Sequence, residues 1–184
     1  MNFQNEKKTF LSKKDKSIEG KIDKHIKKLC SIINKNKNFY TTSSCSGRIV
    51  LIERSDRKDK TIWLLKSHDK ITLNKLLPAI KKIKKTASFR FEPTIIHICA
   101  KNLEAAEQIL HLFYNNGFKR SGIIGIKRKI TIEVIGTGRL EAPVLKNVPK
   151  EYLKLLVEQA NNLWENNYRR IKKMEKLLDK HYNH

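Results

Sequence analysis

The chain has 184 residues, of which 40 are Lys or Arg and 18 are Asp or Glu, giving a net charge of +22. A content of 39% hydrophobic and 32% charged residues excludes a disordered tail, and no apolar run reaches the roughly 18 residues that a membrane helix needs. The charge excess points to a polyanionic partner, nucleic acid first and an anionic membrane surface second, because phosphates reward clustered cations through counterion release. A lysine-rich composition bias alone would also give a basic protein. Residues 1–8 lack the apolar segment of a signal peptide, so a cytoplasmic location is expected. Cys30, Cys45 and Cys99 are odd in number and form no CxxC pair, which argues against structural zinc and for a reducing compartment.

Residues 16–34 read as a first helix, with Ile18, Ile22, Ile26, Leu29 and Ile33 at intervals of three and four. The polar run Thr42-Ser43-Ser44-Cys45-Ser46-Gly47-Arg48 follows as a loop. Ile49-Val50-Leu51-Ile52 reads as a buried strand, residues 55–60 as a polar turn and residues 61–65 as an antiparallel second strand. Thr72 or Asn74 caps a short helix carrying Leu76, Leu77, Ile80 and Ile83, with Pro78 in its first turn. Residues 88–100 are strand-like and broken by Pro93. Asn102 caps a helix with Leu103, Ala106, Ile109, Leu110 and Phe113, ended by Gly117. Residues 123–126 and 130–135 read as strands joined by Lys127-Arg128-Lys129, and Gly136-Thr137-Gly138 breaks the second. Pro149 opens a long helix whose Leu153, Leu156, Ala160, Leu163, Ile171 and Met174 recur near a seven-residue spacing. The sum is an α+β fold, a mixed and mainly antiparallel sheet flanked by helices. Residues 1–148 form its body and the helix of residues 149–184 packs on it, as one domain. No GxGxxG turn is present, so a Rossmann-type cofactor site is not visible.

Small hydroxyl residues and Gly47 leave the amides of the polar run accessible, and Arg48 adds a donor fork, a combination suited to phosphate or carboxylate. The plain alternative is an ordinary polar loop. His68 follows a strand end, where an imidazole acts as base or hydrogen-bond partner, or simply caps the strand. His97 and Cys99 alternate with Ile96 and Ile98 and share a strand face. They are buried if that face is the core and chemically available if it is not. Trp63 reads as a stacking platform or as core. Glu92, Arg139 and Glu141 read as ligand contacts or as partners of the many cations. Lys127, Arg128 and Lys129, with Lys81, Lys82, Lys84, Lys85 and residues 169–173, read as polyanion contacts or as solvated faces.

Several segments, in order, resemble the tRNA wybutosine-synthesising protein 3 family. They are Tyr40-Thr41-Thr42-Ser43-Ser44-Cys45-Ser46-Gly47-Arg48-Ile49, Trp63-Leu64-Leu65-Lys66-Ser67-His68, Phe89-Arg90-Phe91-Glu92-Pro93 with Ile96-His97-Ile98, Gly117-Phe118-Lys119-Arg120-Ser121-Gly122-Ile123, and Gly138-Arg139-Leu140-Glu141-Ala142-Pro143. The likeness covers most of residues 17–145, with Arg120 departing from the uncharged residue expected there. The resemblance implies transfer of a methyl group from S-adenosylmethionine to N4 of 7-aminocarboxypropyl-demethylwyosine, a modified guanosine beside the anticodon of phenylalanine tRNA. On that reading His68 and His97 are candidate bases. Ser44, Cys45, Ser46, Arg48, Glu92, Arg139 and Glu141 are candidate cofactor contacts, and Trp63, Lys127, Arg128 and Lys129 are candidate RNA contacts. No metal is implied. Methyl transfer needs no covalent protein intermediate, so Cys45 reads as a small residue rather than a nucleophile. The alternatives are a non-enzymatic RNA-binding protein, which the charge suits equally, and a hydrolase using Cys45 with His68 or His97.

Overall fold

Alternating or continuous apolar residues build most of the strands, and these pair into two separate four-stranded sheets. The computed structural model describes residues 2–12, 22–54 and 61–182. Among them the strands are β1 (Phe39–Cys45), β2 (Arg48–Arg54), β3 (Thr61–Ser67), β4 (Ala87–Glu92), β5 (Ile95–Ala100), β6 (Gly122–Gly125), β7 (Ile130–Ile135) and β8 (Leu140–Val144). The helices are α1 (Phe3–Leu11), α2 (Lys27–Lys35), α3 (Leu73–Ile80), α4 (Leu103–Asn115) and α5 (Lys150–Tyr182). The chain divides into two compact units. One holds Met1–Ser46, Thr94–Thr137 and Tyr168–His184, and the other Gly47–Pro93 and Gly138–Asn167.

The first unit carries the sheet β1-β5-β7-β6, antiparallel at each pairing. Ile96 and Ile98 of β5 and Ile132 and Val134 of β7 share a core with Leu29 and Ile33 of α2, Ile109 and Phe113 of α4, and Ile171 and Met174 of α5. The other face carries Tyr40, Cys99 and Thr131 in one row and His97 and Glu133 in the next. α1 covers Tyr40, with Phe3 and Phe10 ring centroids 5.6 and 5.4 Å from the phenol ring. The Tyr40 hydroxyl donates to Glu6 Oε1 at 2.6 Å, and Lys129 Nζ lies 2.6 Å from the same oxygen. Lys129 first and Tyr40 second hold the Glu6 carboxyl below its usual range. Burial, then Glu6, pushes the Tyr40 phenol far up.

The second unit carries β3-β2-β4-β8, again antiparallel throughout. Ile49, Leu51, Phe89, Phe91 and Val144 pack with Leu76 and Ile80 of α3 and with Leu153, Leu156 and Ala160 of α5. Asn161 brackets Ile71, accepting from its amide at 3.0 Å and donating to its carbonyl at 2.8 Å.

The α+β class, the long C-terminal helix, the antiparallel β2–β3 pair and the β6–β7 hairpin are as the sequence predicts. So is the cap of α4, where Asn102 Oδ1 accepts from Ala105 N at 3.0 Å. Three local readings differ. The polar run is not a loop. β1 extends through Cys45 because its backbone pairs with β5, and only Ser46-Gly47 links it to β2. Pro78 sits inside α3 rather than in its first turn, since the helix starts at Leu73 and ends two residues after the proline. Residues 88–100 supply two strands in different sheets, parted at Pro93-Thr94. Of the first predicted helix, residues 16–21 lie outside the described residues, and the described helical part starts at Lys27. The turn at residues 55–60 also lies outside them. No helix among the described residues is long and apolar enough to cross a membrane.

Candidate active site

In the first unit the end of β1 is held from two sides. The Ser46 hydroxyl and amide both donate to Asp23 Oδ2, the amide at 3.1 Å. The Ser46 carbonyl accepts from Thr94 Oγ1 at 3.0 Å, and the Thr94 carbonyl accepts from Gly136 N at 2.9 Å. Thr94 is fully buried, so these bonds form away from competing water. Ser46 is thus spent on internal structure. Ser44 points toward Cys30, whose thiol is pushed up by burial and partly brought back by the Ser44 hydroxyl. Cys45 is half-buried.

Ile96 and Ile98 point into the core, and His97 points to the other side. Its Nδ1 is 2.8 Å from Ser43 Oγ, and its Nε2 is 2.9 Å from Glu133 Oε1. Cys99 shares that face but is buried, with its sulfur 3.8 Å from Thr131 Oγ1. Lys129 stands at the end of the β6–β7 turn over the Phe10 and Tyr40 rings. Lys127 and Arg128 precede it in the same turn.

In the second unit Gly47 adopts φ +102, and a Cβ there would lie 2.9 Å from the Glu92 carbonyl oxygen. Arg48 follows, with Nε donating to Glu92 Oε2 at 2.6 Å and its guanidinium 4.8 Å from the centre of the Trp63 ring. Trp63 is 46% exposed, so its ring is not part of the core. His68 Nδ1 is 3.1 Å from the Gly47 carbonyl oxygen. A carbonyl only accepts, so Nδ1 is the donor in this bond. The His68 carbonyl accepts from Trp164 Nε1 at 2.8 Å, which fixes the backbone beneath the ring. Glu141 pairs with Arg90 Nη2 at 2.6 Å, accepts from Ser88 Oγ at 3.1 Å, and has Arg139 Nη2 at 3.4 Å. Arg48–Glu92 and Arg90–Glu141 are cross-strand pairs on one face of this sheet.

The second unit therefore brings together Arg48, Glu92, Trp63 and His68, and groups Arg139 with Glu141. The first unit groups Ser44, Cys45 and Ser46 on β1 and sets His97 one strand away. Sequence reasoning missed Asp23, Thr94, Ser43, Glu133 and Arg90. Ser43 stands inside the polar run, and Glu133 alternates with apolar residues in β7, but their partners depend on sheet register.

The family model described as Methyltransferase TYW3 matches residues 5–180. The tRNA wybutosine-synthesizing protein 3 homolog of Danio rerio is 37% identical over 186 residues, covering 96% of this chain and 74% of that one. The tRNA(Phe) 7-((3-amino-3-carboxypropyl)-4-demethylwyosine(37)-N(4))-methyltransferase 1 of Pyrococcus abyssi is 35% identical over 187 residues, 97% of this chain and 96% of that one. Among solved structures, the PH1069 protein from Pyrococcus horikoshii superposes with a TM-score of 0.86 at 34% identity, covering 96% of each chain. The match spans nearly the whole chain, and this chain belongs to the Methyltransferase TYW3 family.

Proposed function

We propose that this methyltransferase modifies N4 of the demethylwyosine base of phenylalanine tRNA in the cytoplasm, the reaction in the printed name of its Pyrococcus abyssi relative. The observation that carries the reading is 35% identity to that relative over almost the whole of both chains. Family membership supplies the methyl donor, S-adenosylmethionine.

The donor set suits such a molecule. Arg48 commits Nε to Glu92, and its two Nη groups bond to no described residue, so a fork remains for a carboxylate. Trp63 offers an exposed ring for a base, a stack worth ~1 to 3 kcal/mol. Arg48 is our proposed anion contact. Ser44, Cys45, Glu92, Arg139 and Glu141 are proposed cofactor contacts, with Ser46 supporting its strand end through Asp23. Trp63, Lys127, Arg128 and Lys129 are proposed RNA contacts.

S-adenosylmethionine supplies a methyl group on a cationic sulfur. Replacing a neutral N–H by a neutral N–CH3 releases one proton, so the chain needs a group to receive it. His68 and His97 are the proposed receivers, each with one ring nitrogen set by a fixed partner.

The test is transfer to phenylalanine tRNA carrying the demethyl base, read by nucleoside mass spectrometry. A gain of one methyl on that base is expected. Absence of transfer by folded protein to tRNA that it binds would overturn the substrate assignment.

A further inference from the structure

We propose that Ser43, His97 and Glu133 form a proton relay for this reaction, with Ser43 as the hydroxyl that meets the acceptor nitrogen and Glu133 as the positioning residue behind the imidazole. The proposal rests on the substrate reading above, and its chemistry comes from a row of three side chains on adjacent strands.

The row exists because β1 is irregular. Thr41 is opposite Ile98 and Ser43 is opposite His97, so Thr42 is the extra residue of a bulge. Without the bulge, Thr42 would stand opposite His97. Bulges re-aim side chains in this way. Thr42 instead donates weakly from Oγ1 to the His97 carbonyl at 3.4 Å. On the other flank Glu133 is opposite His97 in regular register. Ser43, His97 and Glu133 therefore lie in line across β1, β5 and β7, on the face turned away from the core.

Donor and acceptor rules fix the direction of the relay. A carboxylate only accepts, so Nε2 of the neutral ring carries its proton toward Glu133 at 2.9 Å. Nδ1 then holds the lone pair and accepts the Ser43 hydroxyl at 2.8 Å. The oxygen of Ser43 is left with its lone pairs outward, and Ser43 is exposed. His97 and Glu133 are only 29% and 27% exposed. The exposed hydroxyl is the open end of the row and the carboxylate is its screened end.

The step balances. The N–H bond of the acceptor breaks and its proton bonds to Ser43 Oγ. The original Ser43 proton moves to His97 Nδ1, and the ring becomes an imidazolium whose charge faces Glu133. The electron pair left on nitrogen forms the new bond to the methyl carbon, and the carbon–sulfur pair leaves with sulfur. The imidazolium returns its proton to water through Ser43. A Ser–His–carboxylate row of this geometry also occurs in nucleophilic catalysis, but methyl transfer leaves the Ser43 oxygen uncombined.

Two measurements test the relay. In the protein without ligands, long-range proton–nitrogen NMR of His97 is expected to show the proton on Nε2. Glu133→Gln should remove that preference, because an amide can also donate to Nε2. In single-turnover methyl transfer, Ser43→Ala and Glu133→Gln are expected to slow the step by roughly 100-fold, within the range for general-base catalysis. Glu133→Asp should recover part of the rate. Thermal midpoints should match wild type, and S-adenosylmethionine and tRNA affinities should stay within twofold of it. Wild-type single-turnover rates in both folded variants would overturn the relay while leaving the substrate reading intact. So would a rate loss matched by an equal loss of tRNA affinity, which marks the row as structural. A wild-type protein that transfers no methyl to the demethyl tRNA would remove the substrate reading and the relay with it.

Discussion

Gly47 is the residue on which the polar run turns, and its demands are steric. Its φ of +102 disfavours any side chain, and a Cβ would meet the Glu92 carbonyl at 2.9 Å and Asn167 Nδ2 at 3.1 Å. Gly47→Ala is expected to destabilise the protein by about 1 to 3 kcal/mol, read as a lower urea midpoint at unchanged slope. Arg48, next along, is placed by Glu92 and Trp63 together. Arg48→Lys keeps the charge but loses the planar fork. It should weaken S-adenosylmethionine binding about tenfold by calorimetry, close to Arg48→Ala. Wild-type affinity in the lysine variant would show that a point charge suffices and that the fork has no role. The site was legible in the sequence only as residue types in one run and at strand ends. Arg48, His68 and His97 could be chosen because imidazole and guanidinium in such positions have few other uses. Asp23, which fixes Ser46, comes from a segment 23 residues earlier, and Glu133 reaches His97 only through the β5–β7 register. Such pairings are set by tertiary register and leave no local spacing to read.

At the scale of elements, α1 shows how a short polar helix is retained. It offers few apolar residues, which is why periodicity did not reveal it. Its hold comes from Phe3 and Phe10 on Tyr40 and from the shared Glu6, Tyr40 and Lys129 cluster. The Glu6 carboxyl is held below its ordinary value of 4.5 in the folded state. Its contribution is therefore complete above that value and is lost as pH falls through the lower folded value. Glu6→Gln should lower the thermal midpoint at pH 7, and the gap from wild type should close in strong acid. A gap that is constant from pH 7 to pH 2 would show that the carboxylate charge contributes nothing. The Tyr40 phenol is shifted the other way, so its contribution is complete below its ordinary value of 10.0 and fades in alkali. Strands with an apolar run, such as β2, or with apolar alternation, such as β7, were readable for the reason that α1 was not. β1 was hidden by Thr and Ser, whose polar side chains mimic a loop while their backbone pairs with β5 on both sides of one bulge. β8 was hidden by Pro143, tolerated because β8 is the outer strand of its sheet.

For the whole molecule, a net charge of +22 becomes informative once the engaged cations are set aside. Lys129 is tied to Glu6, Arg48 to Glu92, Arg90 to Glu141, Lys172 to Glu175 and Lys70 to Glu165. Lys172 shows the effect of such a pairing. Burial disfavours its charge, and Glu175 overrides that and holds its pKa up. Lys127 and Arg128 make no ion pair with a described residue, and they stand in a turn between two strands that fix its position. They are among the cations a phosphate chain can take without breaking an ion pair between described residues. Each phosphate contact contributes about 0.9 to the slope of log affinity against log salt on a duplex, and about 0.7 on a single strand. The double variant Lys127→Ala with Arg128→Ala should therefore flatten the salt dependence of tRNA binding by about 1.4 to 1.8, while S-adenosylmethionine affinity and thermal midpoint hold. Lys129→Ala should behave differently, because it also strands Glu6 and loosens α1, so its affinity loss should come with a lower midpoint. If the double variant keeps the wild-type slope, the RNA backbone does not cross this hairpin. The excess charge would then act as a diffuse field that speeds encounter without fixing register.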